Sequence, residues 1–401
     1  MRITRIETVR IAKFPNLLYV QIHTDEGIVG LGETFSGAAA VEAWIHETAA
    51  PLLIAEDPRD VDRLWHKLSP IIGFDGAGVE NRGRSAIDIA LWDIAGRAAG
   101  QPVWRMLGGL HRDCIPLYNT CAGSHYVRNV IGQARDLTAN WNCAAHHPGP
   151  YEDLDGFMRR PEELALSLVE EQYVGMKIWP FDPYAVKHDG QFISAEDIRK
   201  GCETFEKIRN AVGDRLEIMA EMHSLWSYPA ALRIAESLEE FTPLWLEDPM
   251  KMDEFGSLKT LAENTSIPLA ASENLATRGQ FKRLLDSEAV GYVHVDPVYA
   301  GGISEARRIA GMAETVHRPV LFHDCTGPLS FAVDVTLSCC VSNVFMQEFV
   351  RACYFGWYGE ILTELPRVKD GRGYPVDAPG LGTALNPEIC KREDACVKRT
   401  P

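Results

Sequence analysis

The sequence predicts an α/β protein built on a closed barrel of parallel strands, together with a second domain. Short apolar runs recur at near-equal intervals through the middle of the chain, and most of them end at an ionisable residue. Segments with helical periodicity separate these runs, so each unit is typical of a strand followed by a crossover helix. The length of 401 residues exceeds one ordinary domain and suits a barrel of about 250 residues plus a second domain.

Three carboxylates define the interval. Glu221, Glu247 and Glu273 follow apolar runs and are separated by 26 and again by 26 residues. In a parallel barrel the carboxyl ends of the strands meet at one mouth. Acidic side chains gathered there repel one another unless a cation lies between them, and three oxygen ligands with room for water and substrate suit Mg²⁺. The spacing therefore predicts a metal-dependent barrel enzyme.

The same spacing continues in both directions. Downstream, Asp296, His323 and Glu348 end three more apolar runs, and upstream Lys177 ends another. The run that begins at Ile115 completes a set of eight predicted strands. One such residue is most often a structural hydrogen-bonding group. Several in phase indicate a functional site, because charged groups are almost never buried without partners.

Composition limits the function classes. The 56 acidic residues against 40 basic ones give a formal charge of −16, which argues against nucleic acid or an anionic membrane as a partner. No apolar stretch is long enough to span a bilayer. The ten cysteines are dispersed, and no signal sequence is recognised at the first residues. We therefore expect reduced thiols and a cytoplasmic location.

The chain divides into three predicted blocks. Residues 1–113 begin with a predicted hairpin and continue into helices, of which the segment ending at Gly100 is the clearest, with that glycine as C-cap. The barrel is predicted for residues 114–348. Residues 349–401 are rich in Pro and Gly and have little core of their own, so we expect them to pack back on the first block.

Two segments interrupt the regular spacing, at 124–160 and 180–194. Both follow predicted strand ends, so we expect them to lie over the barrel mouth and shape access to it. The first contains His146 and His147. Adjacent side chains point in different directions, so this pair is more typical of a solvated loop than of a metal site.

Several motifs resemble the enolase superfamily and, more narrowly, its mandelate-racemase-like branch. They are the carboxylate triad, the phrase WLEDP at 245–249, the helix ALWD at 90–93 leading to QPVW at 101–104, and PGLG at 379–382. The resemblance covers nearly the whole chain. It implies a modified TIM barrel, (β/α)₇β, with an α+β capping domain formed by the first and last blocks. It also implies an essential Mg²⁺ on the triad and removal of the proton α to a carboxylate.

The chemistry requires further charge at the site. A carboxylate substrate becomes a dianion when its α-proton leaves. A divalent cation bound to the substrate carboxylate stabilises that charge where it develops. Three glutamates and Mg²⁺ together leave one negative charge, so another cation is needed. Lys177 fits this need, because strand alternation between Met176 and Ile178 points it inward. A solvent-facing lysine is the alternative.

His323 is the predicted base. A carboxylate bonded to one imidazole nitrogen fixes the tautomer and leaves the other nitrogen free to act as the base. Asp296 is the predicted carboxylate. The His–Asp dyad of the family falls on these two positions; a purely structural pair is the alternative. Glu348 falls where the branch carries a glutamate that hydrogen-bonds the substrate carboxylate, so we expect it to be protonated, with a raised pKa.

Two differences from the usual motifs of the branch limit which reaction is expected. The second strand often carries Lys-x-Lys, but here Trp179 stands two residues after Lys177, so that base is missing and an indole is expected to line the substrate site. His223 follows Glu221 by two residues, which places both on one strand face. The pattern is similar to the acid-sugar dehydratases of the branch, where such a histidine protonates the departing 3-hydroxyl. An outer hydrogen-bonding histidine is the alternative.

The sequence thus predicts a Mg²⁺-dependent dehydratase of a sugar acid of the gluconate, galactonate or mannonate type, giving a 2-keto-3-deoxy acid. Two alternatives stay open: a racemase or epimerase of a 2-hydroxy acid that uses His223 as a second base, and a catalytically idle relative that binds or scaffolds. A small-molecule substrate and a homo-oligomer are expected. The stereochemistry of the substrate is expected to depend on three loops, at 15–20, 71–84 and 124–160.

Overall fold

The structure is a computed structural model that describes residues 1–70, 73, 76–126 and 151–401. His146, His147 and most of the predicted mouth loop at 124–160 lie outside the described residues, as do four positions of the loop at 71–84. None of the described helices is both long and apolar enough to cross a membrane.

The strands are β1 (Ile3–Ile11), β2 (Phe14–Thr24), β3 (Val29–Phe35), β4 (Ile115–Thr120), β5 (Gly175–Ile178), β6 (Glu217–Glu221), β7 (Trp245–Glu247), β8 (Leu269–Ala271), β9 (Tyr292–Val295), β10 (Val320–Phe322), β11 (Gln347–Phe349), β12 (Arg367–Lys369), β13 (Arg372–Tyr374) and β14 (Ala395–Thr400). The α-helices of the described chain are α1 (Ala38–Trp44), α2 (Ala50–Leu53), α3 (Val61–Lys67), α4 (Val79–Ala99), α5 (Val103–Met106), α6 (Asp153–Arg159), α7 (Pro161–Glu170), α8 (Asp182–Ala185), α9 (Ala195–Val212), α10 (Tyr228–Leu238), α11 (Phe255–Glu263), α12 (Thr277–Ser287), α13 (Pro297–Ala300), α14 (Gly302–Thr315), α15 (Pro328–Cys340), α16 (Arg351–Cys353) and α17 (Gly359–Ile361).

The capping domain is a four-stranded antiparallel sheet, in the order β14-β1-β2-β3, with α4 packed on it. Gly30 and Gly32 of β3 permit the close approach of α4, because a Cβ at either position would collide with the carbonyl oxygens of Ala90 and Ala86. The helix ends at Gly100, whose φ of 62° lies in the left-handed region, as the predicted C-cap requires.

In the described part of the chain the barrel contains eight parallel strands. β4 to β10 pair in sequence order, and β11 pairs with β4 on the other side. Helices α7, α9, α10, α11, α12, α14 and α15 connect successive strands, which gives seven strand–helix units and a final strand. Among the described residues the strand ladder stops between β10 and β11, where Gln347 Nε2 donates to the carbonyl oxygen of Phe322 at 2.7 Å. The predicted (β/α)₇β fold with a capping domain is confirmed.

The last segment of the chain contacts both parts. β14 pairs with β1 of the capping sheet, whereas β13 pairs antiparallel with β4 of the barrel through Arg372 and Gly373. From the sequence we expect the segment to pack back on the first block, and the pairing with the barrel is not part of that expectation. The predicted boundaries at residues 113 and 348 stay predictions.

Two carboxylates of the capping domain hold it on the barrel. Asp88 of α4 accepts hydrogen bonds from the backbone nitrogen of Ser304 at 3.0 Å and from its hydroxyl at 2.6 Å, at the start of α14. Glu33 of β3 accepts from the backbone nitrogens of Leu329 at 3.2 Å and Ser330 at 3.1 Å, at the start of α15. These hydrogen bonds join the capping domain to the starts of two barrel helices and so fix it beside the barrel mouth.

The barrel interior is filled in layers. One buried apolar cluster comprises Tyr118, Met219, Trp245, Ala270, Leu321 and Met346. Because side chains two residues apart on a strand share a face, the next layer towards the mouth consists of Thr120, Glu221, Glu247, Ser272, His323 and Glu348. Glu273 lies one residue beyond this phase, past the end of β8. The apolar layer thus forms the floor of a charged mouth.

Candidate active site

A cavity of about 590 Å³ opens at the carboxyl ends of the strands. This size is typical of small-molecule sites. It is lined by seven of the nine residues that the sequence predicted for the site: Lys177, Trp179, Glu221, His223, Glu273, His323 and Glu348. The other two, Glu247 and Asp296, are buried beside the lining residues and bond to them.

The three predicted metal ligands lie together. Each of Glu221, Glu247 and Glu273 offers a carboxylate oxygen, and these oxygens lie within 4.8 Å of one another. Glu221 and Glu247 are buried, whereas Glu273 is partly open to the cavity. Three hard oxygen donors with one open side fit Mg²⁺, which usually keeps waters and substrate oxygens among its ligands.

Lys177 lies among these carboxylates. Its Nζ is 2.5 Å from Glu247 Oε1, 2.8 Å from Glu348 Oε1 and 3.5 Å from Glu221 Oε2. Burial by itself lowers the pKa of a lysine, but the carboxylates of Glu247 and Glu348 raise the pKa of Lys177 well above its ordinary value. The side chain points inward and is cationic.

Two ligands of the triad differ in proton affinity. Burial and the neighbouring charge of Glu247 raise the pKa of Glu221 well above its ordinary value. Burial also disfavours charge on Glu247, yet its interactions with His294 and Lys177 outweigh burial and lower its pKa well below the usual range. Trp245 Nε1 donates to Glu247 Oε2 at 2.9 Å. Glu247 is therefore the firmly ionised ligand.

His294 is a site residue that sequence reasoning missed. It is buried in β9, and its Nδ1 lies 2.9 Å from Glu247 Oε1, without the alignment of a hydrogen bond. Its ring meets that of Trp245 edge-on at 5.3 Å. Strand alternation could have found it, because His294 precedes Asp296 by two residues and shares its face.

His323 and Asp296 form the predicted pair. Nδ1 of His323 lies 2.7 Å from Asp296 Oδ2, and Nε2 faces Glu273 Oε2 at 3.2 Å. Burial lowers the pKa of His323, but Glu273 and Glu348 outweigh it and raise the pKa to about 10. A cation held among the glutamates would offset their charge and favour the neutral imidazole that a base requires.

Glu348 corrects one expectation. It accepts hydrogen bonds from the hydroxyl of Thr120 and, at 3.2 Å, from the backbone nitrogen of Asp324. Burial raises its pKa, but the cations Lys177 and His323 reverse the effect, so that the pKa of Glu348 is lowered. This direction contradicts the raised pKa that the sequence predicted for Glu348, because Lys177, at 2.8 Å, and His323 favour the charged carboxylate.

His223 reaches the cavity by a different route from the one predicted. β6 ends at Glu221, and His223 has a φ of 47°, in the left-handed region. Its backbone nitrogen donates to Glu221 Oε1 at 2.6 Å. Nδ1 lies 2.5 Å from Asp182 Oδ2, and Nε2 lies 2.8 Å from the hydroxyl of Tyr126. Sequence reasoning missed both partners, although Asp182 falls in the segment predicted to lie over the mouth.

Trp179 forms an aromatic wall of the cavity. It is fully buried, and its ring lies 5.3 Å from that of Tyr126, 5.2 Å from Phe157 and 5.4 Å from His223. Among the described residues its indole nitrogen has no hydrogen-bond partner. A buried N–H donor that lacks a protein acceptor is suited to a polar group of a ligand.

Comparison with known proteins agrees with this geometry. Residues 160–389 match the enolase C-terminal domain-like family, and residues 5–108 match the mandelate racemase/muconate lactonizing enzyme N-terminal domain. The chain therefore belongs to the mandelate racemase/muconate lactonizing enzyme family of the enolase superfamily, and the predicted resemblance is confirmed.

Three relatives illustrate the match. The D-galactonate dehydratase of Klebsiella pneumoniae (strain 342) is 30% identical over 393 residues, covering 96% of this chain and 92% of that protein. The D-galactonate dehydratase of Pectobacterium atrosepticum is 28% identical over 396 residues, covering 97% and 93%. A crystal structure of an Agrobacterium tumefaciens enolase of the mandelate racemase subgroup superposes with a TM-score of 0.88 at 43% identity, covering 100% of this chain and 99% of that one.

Proposed function

We propose that this protein is a Mg²⁺-dependent hydro-lyase that converts a sugar acid into a 2-keto-3-deoxy acid. The observation that carries the proposal is the placement of two histidines on opposite walls of one cavity, with the carboxylate triad and Lys177 between them. His323 follows β10 and His223 follows β6, and three strands separate them on either side of the barrel. Two curated relatives named D-galactonate dehydratase support the same reaction class.

The inner residues suit a substrate carboxylate. Mg²⁺ held by Glu221, Glu247 and Glu273 would supply positive charge beside that carboxylate, where negative charge develops when C2 loses its proton. The Lys177 ammonium lies against the carboxylates of Glu247 and Glu348. In the proposed reaction it donates to the oxyanion that develops on the substrate. The surrounding apolar floor excludes water, which strengthens these interactions.

His323 is placed to remove the C2 proton. Asp296 accepts from Nδ1–H, so that Nε2, which faces the triad, is the nitrogen available to the substrate. The electron pair of the C2–H bond then forms the C1–C2 double bond of an enediolate. A positioned base of this kind contributes about 10²–10⁴-fold to the rate.

His223 is placed to complete the elimination. The enediolate electrons form the C2–C3 double bond as the C3–O bond breaks, and the departing oxygen takes a proton from His223 and leaves as water. The enol product tautomerises to the 2-keto-3-deoxy acid. The indole of Trp179 stands where a second lysine base would otherwise lie, so it offers no acceptor for a C2 proton.

A second function keeps one specific observation in its favour. His223 is paired with Asp182 much as His323 is paired with Asp296. A histidine held in this way can also act as a base, which would make the protein a racemase or epimerase of a 2-hydroxy acid.

A screen of acid sugars tests the proposal. The protein is incubated with Mg²⁺ and a panel of aldonates, and 2-keto-3-deoxy acids are detected after reaction with semicarbazide. We expect product from at least one aldonate, abolished by EDTA and restored by Mg²⁺. Absence of keto acid from every member of the panel, in protein whose Mg²⁺ binding is verified by calorimetry, would reject the dehydratase assignment.

A further inference from the structure

Asp182 is a buried carboxylate that contacts His223, one of the residues lining the cavity. It begins α8, four residues after the end of β5, and none of its surface is exposed. Its Oδ2 lies 2.5 Å from Nδ1 of His223, and within the described part of the chain this is its one side-chain hydrogen bond, since Oδ1 has none. A buried charge is costly unless it is paired, so the contact with His223 accounts for an aspartate at this position.

The sheet does not fix the direction of His223. β6 ends two residues earlier, and both His223 and Ser224 adopt left-handed backbone conformations, with φ of 47° and 57°. Non-glycine residues adopt these values rarely, and strand alternation no longer directs a side chain in such a turn. The imidazole must therefore be held by the groups that it contacts.

Those contacts define the orientation of the ring. The carboxylate of Asp182 meets Nδ1, the hydroxyl of Tyr126 meets Nε2 at 2.8 Å, and the ring of Trp179 stands edge-on at 5.4 Å. A carboxylate accepts hydrogen bonds only. Nδ1 must then carry a proton, and Nε2 is the nitrogen on the cavity side, next to the hydroxyl of Tyr126.

We propose that Asp182 is a positioning residue for His223, which holds Nδ1–H of the imidazole and so presents Nε2 to the substrate. The arrangement repeats that of His323, whose Nδ1 lies 2.7 Å from Asp296 on the opposite wall. The inference rests on the proposed function, in which Nε2 of His223 gives its proton to the departing 3-hydroxyl. Asp182 acts through His223 and touches no reacting atom.

Nuclear magnetic resonance tests the contact without any substrate. In the full-length protein labelled with ¹⁵N-histidine, the resonances of His223 among the 12 histidines are assigned by their loss in His223→Asn. We expect a hydrogen-bonded Nδ1–H of His223 that is lost or strongly shifted in Asp182→Asn. An unprotonated Nδ1, or an Nδ1–H that is unchanged in Asp182→Asn, would overturn the proposal.

Kinetics separates positioning from a structural role. Asp182→Asn keeps the side-chain volume, and we expect it to slow keto-acid formation by about 10–100-fold, as is usual for residues that orient a catalytic group. Exchange of the substrate C2 hydrogen in D₂O, which depends on His323, should stay at the wild-type rate. The double variant with His223→Asn should be no slower than His223→Asn alone.

Asp88→Asn is the matched control, because it makes the same substitution at a buried aspartate that bonds to Ser304 rather than to a residue lining the cavity, and we expect both rates to stay at the wild-type value. A parallel fall of exchange and elimination in Asp182→Asn, or an additional loss in the double variant, would contradict the positioning role. If no aldonate is turned over, the proposed function fails, while the resonance measurement still decides the contact between Asp182 and His223.

Discussion

Asp88 lies at the junction of the capping domain and the barrel, and its environment predicts how stability depends on pH. Burial raises the pKa of Asp88 from its ordinary value of 3.8 to about 7, against the opposing hydrogen bonds from Ser304. The folded protein therefore binds a proton that the unfolded chain releases near pH 4. The associated stability is fully present below pH 4 and is lost as the pH rises through 7.

The magnitude follows from the same values. Each pKa unit corresponds to about 1.4 kcal/mol, so ionised Asp88 destabilises the folded state by about 4 kcal/mol above pH 7. Asp88→Asn removes this ionisation. An asparagine retains the contacts, since its carbonyl can accept from the Ser304 backbone nitrogen and its amide can donate to the Ser304 hydroxyl, which already accepts from Trp92 Nε1 at 2.9 Å.

Urea denaturation at pH 5, 6, 7 and 8 measures the effect as the difference in the free energy of unfolding between Asp88→Asn and the wild type. We expect this difference to shift in favour of the variant by about 2–3 kcal/mol between pH 5 and 8. The control is Asp286→Asn, whose carboxyl is largely exposed and is solvated in both states. A difference that is the same at all four pH values would refute the reasoning.

Three further predictions concern the site and its support. Glu247→Gln preserves volume but removes the firmly ionised ligand, so it should abolish Mg²⁺ binding in calorimetry and nearly abolish turnover. The circular dichroism spectrum should be retained. Undiminished turnover in EDTA-treated wild type would contradict the metal assignment. His323→Asn should stop C2 hydrogen exchange in D₂O, and His223→Asn should slow elimination more than exchange; exchange at the wild-type rate in His323→Asn would place the base elsewhere. Arg351 bonds the buried Asp153 through two nitrogens, at 3.0 and 2.7 Å. Arg351→Met should therefore lower the free energy of unfolding, measured by urea denaturation, by about 3–5 kcal/mol. A smaller loss would show that Asp153 finds another partner.

The barrel and most of the site could be predicted from the sequence because both depend on short-range patterns. A strand such as Trp245–Glu247 is an apolar run that ends in a charge, and in a parallel barrel every such end meets at one mouth. The positions of Glu221, Glu247, His323 and Glu348 follow from this rule, since each stands two residues past a member of the apolar floor.

Other features depend on contacts that no periodic pattern encodes. Asp182 meets His223 across 41 residues of chain, and Tyr126 meets it across 97. The turn after β6 replaced the strand alternation that the prediction assumed for His223. The pKa of Glu348 depends on the balance between its carboxylate neighbours and two cations, which only the assembled site determines.

A dehydratase and an epimerase differ in what becomes of C2 of the substrate: the first gives a 2-keto acid and the second inverts the configuration. Proton NMR of the wild-type protein with Mg²⁺ and its aldonate substrate in D₂O distinguishes the two outcomes. With a base on the His323 wall and Trp179 in place of a second lysine, the substrate that is not eliminated should keep its configuration. We expect a 2-keto-3-deoxy acid that carries deuterium at C3, with no accumulation of the C2 epimer. Accumulation of that epimer without keto acid would contradict the account and identify His223 as the second base of a racemase or epimerase.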